Sequence, residues 1–153
     1  RRLIFMTIFL ASAIIPPPGA AGAADEPIGF VRSLSGTASV VRGSETVTVS
    51  NGMKLLVGDT LSTGPDSSLG AVFRDNSSVS LGPDSSFTVR NFEFAPEKGK
   101  TGLLIRITRG SLAYLSGLIG KLSPESARFE TPTATIGIRG THFAVKVGEA
   151  APR

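Results

Sequence analysis

The chain has 153 residues, a mass of 15.8 kDa, 41% hydrophobic residues and a formal net charge of +4. It has no cysteine, which excludes a disulfide framework, a thiol nucleophile and a cysteine-ligated metal or iron–sulfur site, and its single histidine excludes a histidine-clustered metal site within one chain. The hydrophobic fraction is too high for a disordered chain and suits one globular domain with or without a targeting segment.

The first 24 residues have the pattern of a secretory signal peptide. Arg1 and Arg2 precede an uncharged run from Leu3 to Ile15, and prolines and small residues follow from Pro16 to Ala24. The uncharged run would rise about 20 Å as a helix, less than the ~30 Å hydrocarbon core, so a membrane anchor or a buried helix is the weaker alternative. We predict a helical signal peptide over residues 1–24 that is cleaved after Ala23 or Ala24. The mature protein then enters the periplasm without a membrane span, with secretion beyond the periplasm as the alternative.

From Ile28 onward the chain alternates apolar and polar residues with a period of two, which is typical of strands. No segment of ten residues has helical apolar spacing. The sequence therefore predicts a single all-β domain over residues 28–148, followed by a short tail at 149–153. The residues predicted to face inward are Val40, Val47, Val49, Leu69, Ala71, Phe73, Phe87, Val89, Leu103, Ile105, Ile107, Leu112, Tyr114, Ile136, Ile138, Phe143, Val145 and Val147.

One turn sequence occurs twice, 18 residues apart. Gly64-Pro65-Asp66-Ser67-Ser68-Leu69 recurs as Gly82-Pro83-Asp84-Ser85-Ser86-Phe87. Proline sets φ for the first central turn position, and aspartate tolerates a positive φ at the second. Stacked turn-and-strand units of this length predict a rolled, solenoid-like sheet. Two similar turns in a β-sandwich are the alternative.

The sharpest local motif, Gly137-Ile138-Arg139-Gly140-Thr141, lies near the end of the chain. Two glycines beside apolar strand residues indicate a bulge or a close backbone approach. We interpret the motif as the structural closure of the sheet, where a Cβ does not fit and where Arg139 bonds turn carbonyls or an aspartate such as Asp59. Contact of Gly137, Arg139, Gly140 and Thr141 with a partner is the alternative.

These motifs resemble the FecR domain. The stretch GDTLSTGPDSSL, from Gly58 to Leu69, is similar to the family signature GD-x-L-x-T-G-x-x-S. The stretch ETPTATIGIRGTHF, from Glu130 to Phe143, is similar to the closing signature TP-x-A-x-x-G-x-RGT-x-F. The resemblance extends from about Gly36 to Val147 and implies the β domain of that family.

The family includes periplasmic regions of iron-uptake regulators, which relay a signal from an outer-membrane TonB-dependent transducer to a sigma factor. Only the predicted signal peptide precedes the domain here, and about six residues follow Val147. The resemblance therefore implies an exported, stand-alone FecR-domain protein, without the anti-sigma segment and the transducer-binding region of such regulators.

The remaining candidate residues predict no catalytic, cofactor or metal site. The lone His142 is expected to be a solvent-facing strand residue, because a catalytic base needs a nucleophile and an orienting carboxylate beside it. No serine lies in a G-x-S-x-G elbow. The loop aspartates lack EF-hand or calcium-repeat spacing and are expected to form Asx turns; they are Asp59, Asp66, Asp75 and Asp84. The apolar stretch from Leu115 to Leu122 is predicted to belong to the core, with an exposed apolar interface as the alternative.

We therefore expect a non-enzymatic envelope module that binds a protein or a polysaccharide. A periplasmic component of iron-uptake signalling is the alternative. Loss of the signal peptide lowers the net charge from +4 to +2. A charge this small and spread along the chain does not predict nucleic-acid binding.

Overall fold

The computed structural model describes residues 26–148, which form twelve strands, one short α-helix and two single-turn 3₁₀ helices, Pro96–Lys98 and Pro124–Ser126. The predictions of a signal peptide over residues 1–24 and of a tail at 149–153 lie outside the described residues. The strands are β1 Gly29–Ser35, β2 Ala38–Arg42, β3 Glu45–Thr48, β4 Lys54–Leu55, β5 Thr60–Thr63, β6 Ser68–Phe73, β7 Ser78–Leu81, β8 Ser86–Ala95, β9 Lys100–Leu115, β10 Ala127–Glu130, β11 Thr135–Gly137 and β12 His142–Val147, and the helix is α1 Leu118–Leu122.

The long strand β9 belongs to two sheets, and this sharing rolls the whole fold. Its first part, Lys100–Arg109, pairs with β8, and residues 103–106 also pair in parallel with β10. Its second part, from Gly110 to Leu115, pairs with β12 and partly with β7. Sheet A therefore has the order β4-β1-β6-β7-β9-β12, and sheet B has the order β3-β2-β5-β8-β9-β10, with β11 beside β10. The result is a curled half-barrel, which confirms the predicted all-β, rolled sheet.

The duplicated turns are the corners at which the chain passes from one sheet to the other. Gly64–Ser67 joins β5 of sheet B to β6 of sheet A, and Gly82–Ser85 joins β7 back to β8. Asp66 and Asp84 have φ values of 52° and 49°, the left-handed conformation that aspartate tolerates better than most residues. The repeat in the sequence is therefore a repeat of corner geometry.

Two glycines lie at the neighbouring points where the chain also passes from one sheet to the other. Gly36, between β1 and β2, and Gly110, inside β9, both have φ of +81°. The residue after each glycine donates its backbone N–H to a corner serine. Thr37 N bonds Ser67 Oγ at 2.9 Å, and Ser111 N bonds Ser85 Oγ at 2.9 Å. Because both serines are buried, each hydroxyl satisfies a backbone group that has no place in a regular ladder.

One hydrophobic core fills the space between the two sheets. Of the residues predicted to face inward, most are buried, and stacked Phe73 and Phe92 join the sheets with ring centroids 5.7 Å apart. Val47 is an exception at 42% exposure, because β3 is an edge strand. The half-buried exceptions on the last strands are Ile136, Phe143, Val145 and Val147.

The helix α1 lies in the apolar stretch for which the sequence predicted no helix. Buried Asp75, in the β6–β7 turn, accepts hydrogen bonds from the Leu118 backbone N–H through its carbonyl and from the Ile119 N–H through its carboxylate. Ile119 is fully buried, whereas Leu118 and Leu122 are 39% and 59% exposed. The prediction that this stretch belongs to the core is therefore correct for Ile119 but not for Leu118 or Leu122. No helix within residues 26–148 is long and apolar enough to cross a lipid bilayer.

Candidate functional site

The closing motif lies in the loop that carries the chain from β11 in sheet B to β12 in sheet A. Gly137 is the last residue of β11, and the loop ends where β12 begins at His142. Gly137, Ile138, Arg139 and Gly140 line a surface cleft of about 810 Å³, together with Pro124 and Glu125 from the segment after α1. The sequence motif therefore forms one wall of a cleft.

The structure contradicts the steric reason for the two glycines of this motif. A Cβ built on Gly137 or on Gly140 has no heavy atom within 4 Å, so no crossing backbone requires a glycine there. Gly140 has φ of +149°, which side chains rarely adopt, whereas Gly137 has no positive φ. Only Gly140 has a conformational reason to be glycine.

Arg139 is solvent-exposed and forms no side-chain hydrogen bond or salt bridge with another residue of the described chain. Asp59, considered as its partner, is instead held by Arg42, whose Nε and Nη2 bond the two carboxylate oxygens at 2.8 and 2.6 Å. The Leu56 N–H donates a third bond to Asp59, which is 1% exposed. The hydrogen bond to Asp59 raises the pKa of Arg42. Asp59 is thus structural, and the Arg139 guanidinium is free to meet a partner.

A second, more apolar cleft of about 600 Å³ lies between the two last strands. Ile136 of β11 forms one side, and Val145 and Val147 of β12 form the other. Arg109 and Lys146 also line it, as does the Thr131–Thr133 turn. Both clefts include residues of β11, Gly137 in the first and Ile136 in the second, and we call them together the β11–β12 groove.

Both strands that line the groove have a free sheet edge. Among the strands of residues 26–148, β12 pairs only with β9 and β11 pairs only with β10. Each strand therefore presents unpaired backbone N–H and C=O groups on its other edge. A groove with apolar walls and unpaired backbone can hold an extended polypeptide.

Positive charge is concentrated in this half of the molecule. Residues 100–148 contain seven basic and two acidic residues, whereas residues 26–99 contain six basic and eight acidic ones. Six of the seven basic residues have no salt-bridge partner within the described chain: Arg106, Arg109, Lys121, Arg128, Arg139 and Lys146. The sequence total hid this asymmetry, because the excess of acidic residues in 26–99 cancels part of the positive charge of residues 100–148.

The other candidate residues lie outside the groove or do not form a cluster. His142 is exposed at the start of β12 and forms no side-chain hydrogen bond with a described residue. Asp66 and Asp84 are exposed corner residues, and Asp75 is bound to Ser77 and α1. No group of three or more potential metal-ligating side chains occurs in residues 26–148.

Sequence reasoning missed Arg109 and Lys146, because nothing in their local sequence distinguishes them from other strand residues. It also missed the Arg42–Asp59 pair, since its two members lie 17 residues apart, Arg42 at the end of β2 and Asp59 in the loop before β5. The roles of Ser67 and Ser85 had a detectable signal, their equivalent position in the repeated turn.

Comparison with known protein families gives a match over the later part of the domain. The profile of the family described as FecR protein matches residues 59–153, which include both duplicated corners and the closing loop. This chain belongs to the FecR protein family. The match starts later than the resemblance read from the sequence, which began at about Gly36. Searches of curated proteins and of solved structures found no significant match to this FecR protein.

Proposed function

We propose that this FecR protein is an exported, non-enzymatic binding module of the cell envelope, and that a protein partner occupies the β11–β12 groove. The observation that carries the proposal is the combination of an apolar cleft of about 600 Å³ within this groove with two unpaired strand edges. Monomeric proteins usually protect the exposed edge strands of their sheets. An unprotected edge beside an apolar groove therefore favours the binding of a partner there.

Binding is favoured over catalysis by the chemistry of the groove walls. They consist of glycine, proline, threonine and aliphatic residues, with arginine, lysine and Glu125 as the charged groups. His142 has no carboxylate bonded to it among the described residues, so the orientation that a general base needs is not provided there.

Export rests on the N-terminal pattern of two arginines, an apolar run and small residues. N-terminal sequencing of protein recovered from the periplasm should start at Ala24 or Asp25. A sequence that starts near Arg1, or retention in membranes after a carbonate wash, would contradict export as a cleaved protein.

The binding proposal is tested by site-specific photo-crosslinking in the native cell. A photoreactive amino acid at Ala144, on β12, should yield one dominant protein adduct. The same amino acid at Arg90, exposed on β8, is the matched control and should yield little. No adduct from Ala144, or equal adducts from both positions, would overturn a protein partner in the groove. Co-sedimentation with isolated cell-wall material in place of an adduct would favour a polysaccharide ligand.

Membership of the FecR family favours a second candidate, a periplasmic component of iron-uptake signalling. In that case the Ala144 adduct should contain a TonB-dependent receptor or its regulatory partner and should increase under iron limitation. An adduct of the same composition and yield in iron-replete and iron-starved cells would contradict this candidate and leave the general binding role.

A further inference from the structure

We propose that the partner enters the groove as an extended acidic polypeptide segment, which adds a strand to the free edge of β12. This inference rests on the proposed binding function and specifies the chemistry of its partner. It follows from three properties of the described residues: the backbone pattern of β12, the apolar side of the groove and the charge around it.

The backbone pattern identifies the residues that meet the added strand. The Ser116 N–H donates to the Thr141 carbonyl at 2.8 Å, one position beyond the His142–Leu115 pair. Hydrogen-bonded and non-hydrogen-bonded pairs alternate in an antiparallel ladder, so Phe143 and Val145 bond β9. The N–H and C=O groups of the alternate residues therefore point to the free edge; these residues are His142, Ala144 and Lys146.

The apolar side determines the side-chain pattern of the segment. Val145 and Val147 are half-buried on β12 and face the groove, with Ile136 of β11 on its other side. A strand placed beside β12 directs every second side chain toward these residues. The segment should therefore carry apolar residues at alternate positions over about six residues, the length of β12.

The charge determines the polar positions of the segment. Arg109 and Lys146 line the apolar cleft and Arg139 lines its neighbour, without a salt-bridge partner among residues 26–148. The excess of cations in residues 100–148 attracts an acidic segment and repels a basic one. A β-strand of alternating apolar and acidic residues matches all three properties.

The experiment uses the full chain and synthetic peptides of alternating valine and glutamate, about as long as β12. The glutamate peptide should bind, and the amides of His142, Ala144 and Lys146 should gain protection from hydrogen exchange. A peptide with lysine in place of glutamate should bind about tenfold more weakly or worse. A peptide N-methylated on the edge that faces β12 should lose binding, whereas N-methylation of the opposite edge should preserve it.

Charge variants of the protein provide an independent measurement. Lys146→Glu should weaken binding of the glutamate peptide about tenfold. The matched control is Lys54→Glu, which changes a lysine on β4, at the opposite edge of sheet A, and should leave the affinity unchanged. Circular dichroism of both variants verifies that they are folded.

Equal binding of the glutamate and lysine peptides, indifference to N-methylation or no protection at β12 would each overturn the proposal. Protection of these amides by self-association of the chain instead of by the peptide would overturn it too, as would binding of a single-stranded oligonucleotide to these cations when the peptide does not bind. If Ala144 crosslinks to an envelope protein but the peptide fails these tests, strand addition is wrong and the binding function stands. If the glutamate peptide binds as expected but Ala144 crosslinks to no envelope protein in the cell, the proposed binding function is wrong.

Discussion

At the scale of single residues, glycine has different roles at different positions of this fold. A Cβ on Gly110 would lie 2.5 Å from Ser85 Cα, and the residue also has φ of +81°. Gly43 has φ of +59° but open space around it, and Gly137 has open space and no positive φ. Alanine at these three positions therefore separates the cost of backbone strain from the cost of a clash.

We expect the loss of stability to increase from Gly137→Ala through Gly43→Ala to Gly110→Ala. Gly137→Ala should change the free energy of unfolding by less than about 0.5 kcal/mol. Gly43→Ala should lower it by about 1 kcal/mol because of the positive φ. Gly110→Ala should lower it by about 3 kcal/mol, since strain and a backbone clash combine. Urea titrations measure all three, and a Gly137→Ala variant as unstable as Gly110→Ala would contradict the open space at the closing motif.

Tyr114 is the only tyrosine of the chain, is fully buried, and has no hydrogen-bond partner for its hydroxyl among the described residues. Burial, and then the nearby charge of Asp75, raise the pKa of Tyr114. Because the unfolded state then releases the phenol proton at a lower pH than the folded state, this group contributes stability below pH ~10 that is lost as pH rises toward the folded pKa.

Tyr114→Phe should therefore keep or raise stability at pH 7 by up to about 1 kcal/mol, because it removes a buried hydroxyl without a partner. It should also flatten the loss of stability above pH ~10. Absorbance of tyrosinate in the wild-type chain reports this residue alone and should titrate above the value of a free tyrosine. A normal titration would contradict the effect of burial and of Asp75, and a Phe variant that is markedly less stable at pH 7 would show that the hydroxyl is hydrogen-bonded.

At the scale of elements, the two corner turns are equivalent in contacts as well as in sequence. Ser67 and Ser85 each donate to the proline carbonyl two residues earlier, at 3.1 and 3.0 Å. Each also accepts the backbone N–H that follows Gly36 or Gly110. A single serine hydroxyl therefore links each corner turn to the neighbouring segment that passes between the two sheets.

Ser67→Ala and Ser85→Ala should each lower the free energy of unfolding by about 1–3 kcal/mol, because each leaves a backbone N–H without its acceptor. The matched control is Ser80→Ala, which changes an exposed serine on β7 and should cost less than about 0.5 kcal/mol. Thermal or urea unfolding compares the three variants. Corner variants no less stable than the Ser80→Ala control would mean that water replaces the hydroxyl at the corner.

At the scale of the whole molecule, the shared strand β9 should make the two sheets unfold together. Gly110 divides β9 between the sheets without interrupting the chain, and one core contacts both halves. A structure with one core and a strand common to both layers has no boundary at which one sheet can unfold alone.

This cooperativity can be measured with tryptophan probes, because the chain has no tryptophan of its own. Phe30→Trp reports on sheet A, and Phe94→Trp reports on sheet B; both phenylalanines are at least partly exposed, so the larger ring can be accommodated. We expect the two probes to give the same urea midpoint relative to circular dichroism of the same variant. Midpoints that differ between the fluorescence and circular dichroism of one variant would indicate that the sheets unfold separately.

The amino-acid sequence determined the features that depend on the nearest neighbours along the chain. The alternation of Leu69, Ala71 and Phe73 sets which face of a strand is apolar, whatever strand lies beside it. The Gly-Pro-Asp-Ser turns carry their own conformational preference, so the repeat correctly predicted a rolled sheet. The family signatures also include these turns, which is why the FecR resemblance followed from the sequence.

Only the tertiary structure decided the features that depend on which strands become neighbours. Val40 and Val47 have the same residue type and the same predicted orientation, but Val40 lies inside sheet B and Val47 lies on its edge. The same long-range packing places the Asp59 carboxylate beside Arg42 instead of Arg139. It also leaves β11 and β12 each with one unpaired edge. Arg109, Arg139 and Lys146 meet around the groove for the same reason, because contacts between distant segments arise from the packing of the whole sheet and not from local backbone preferences.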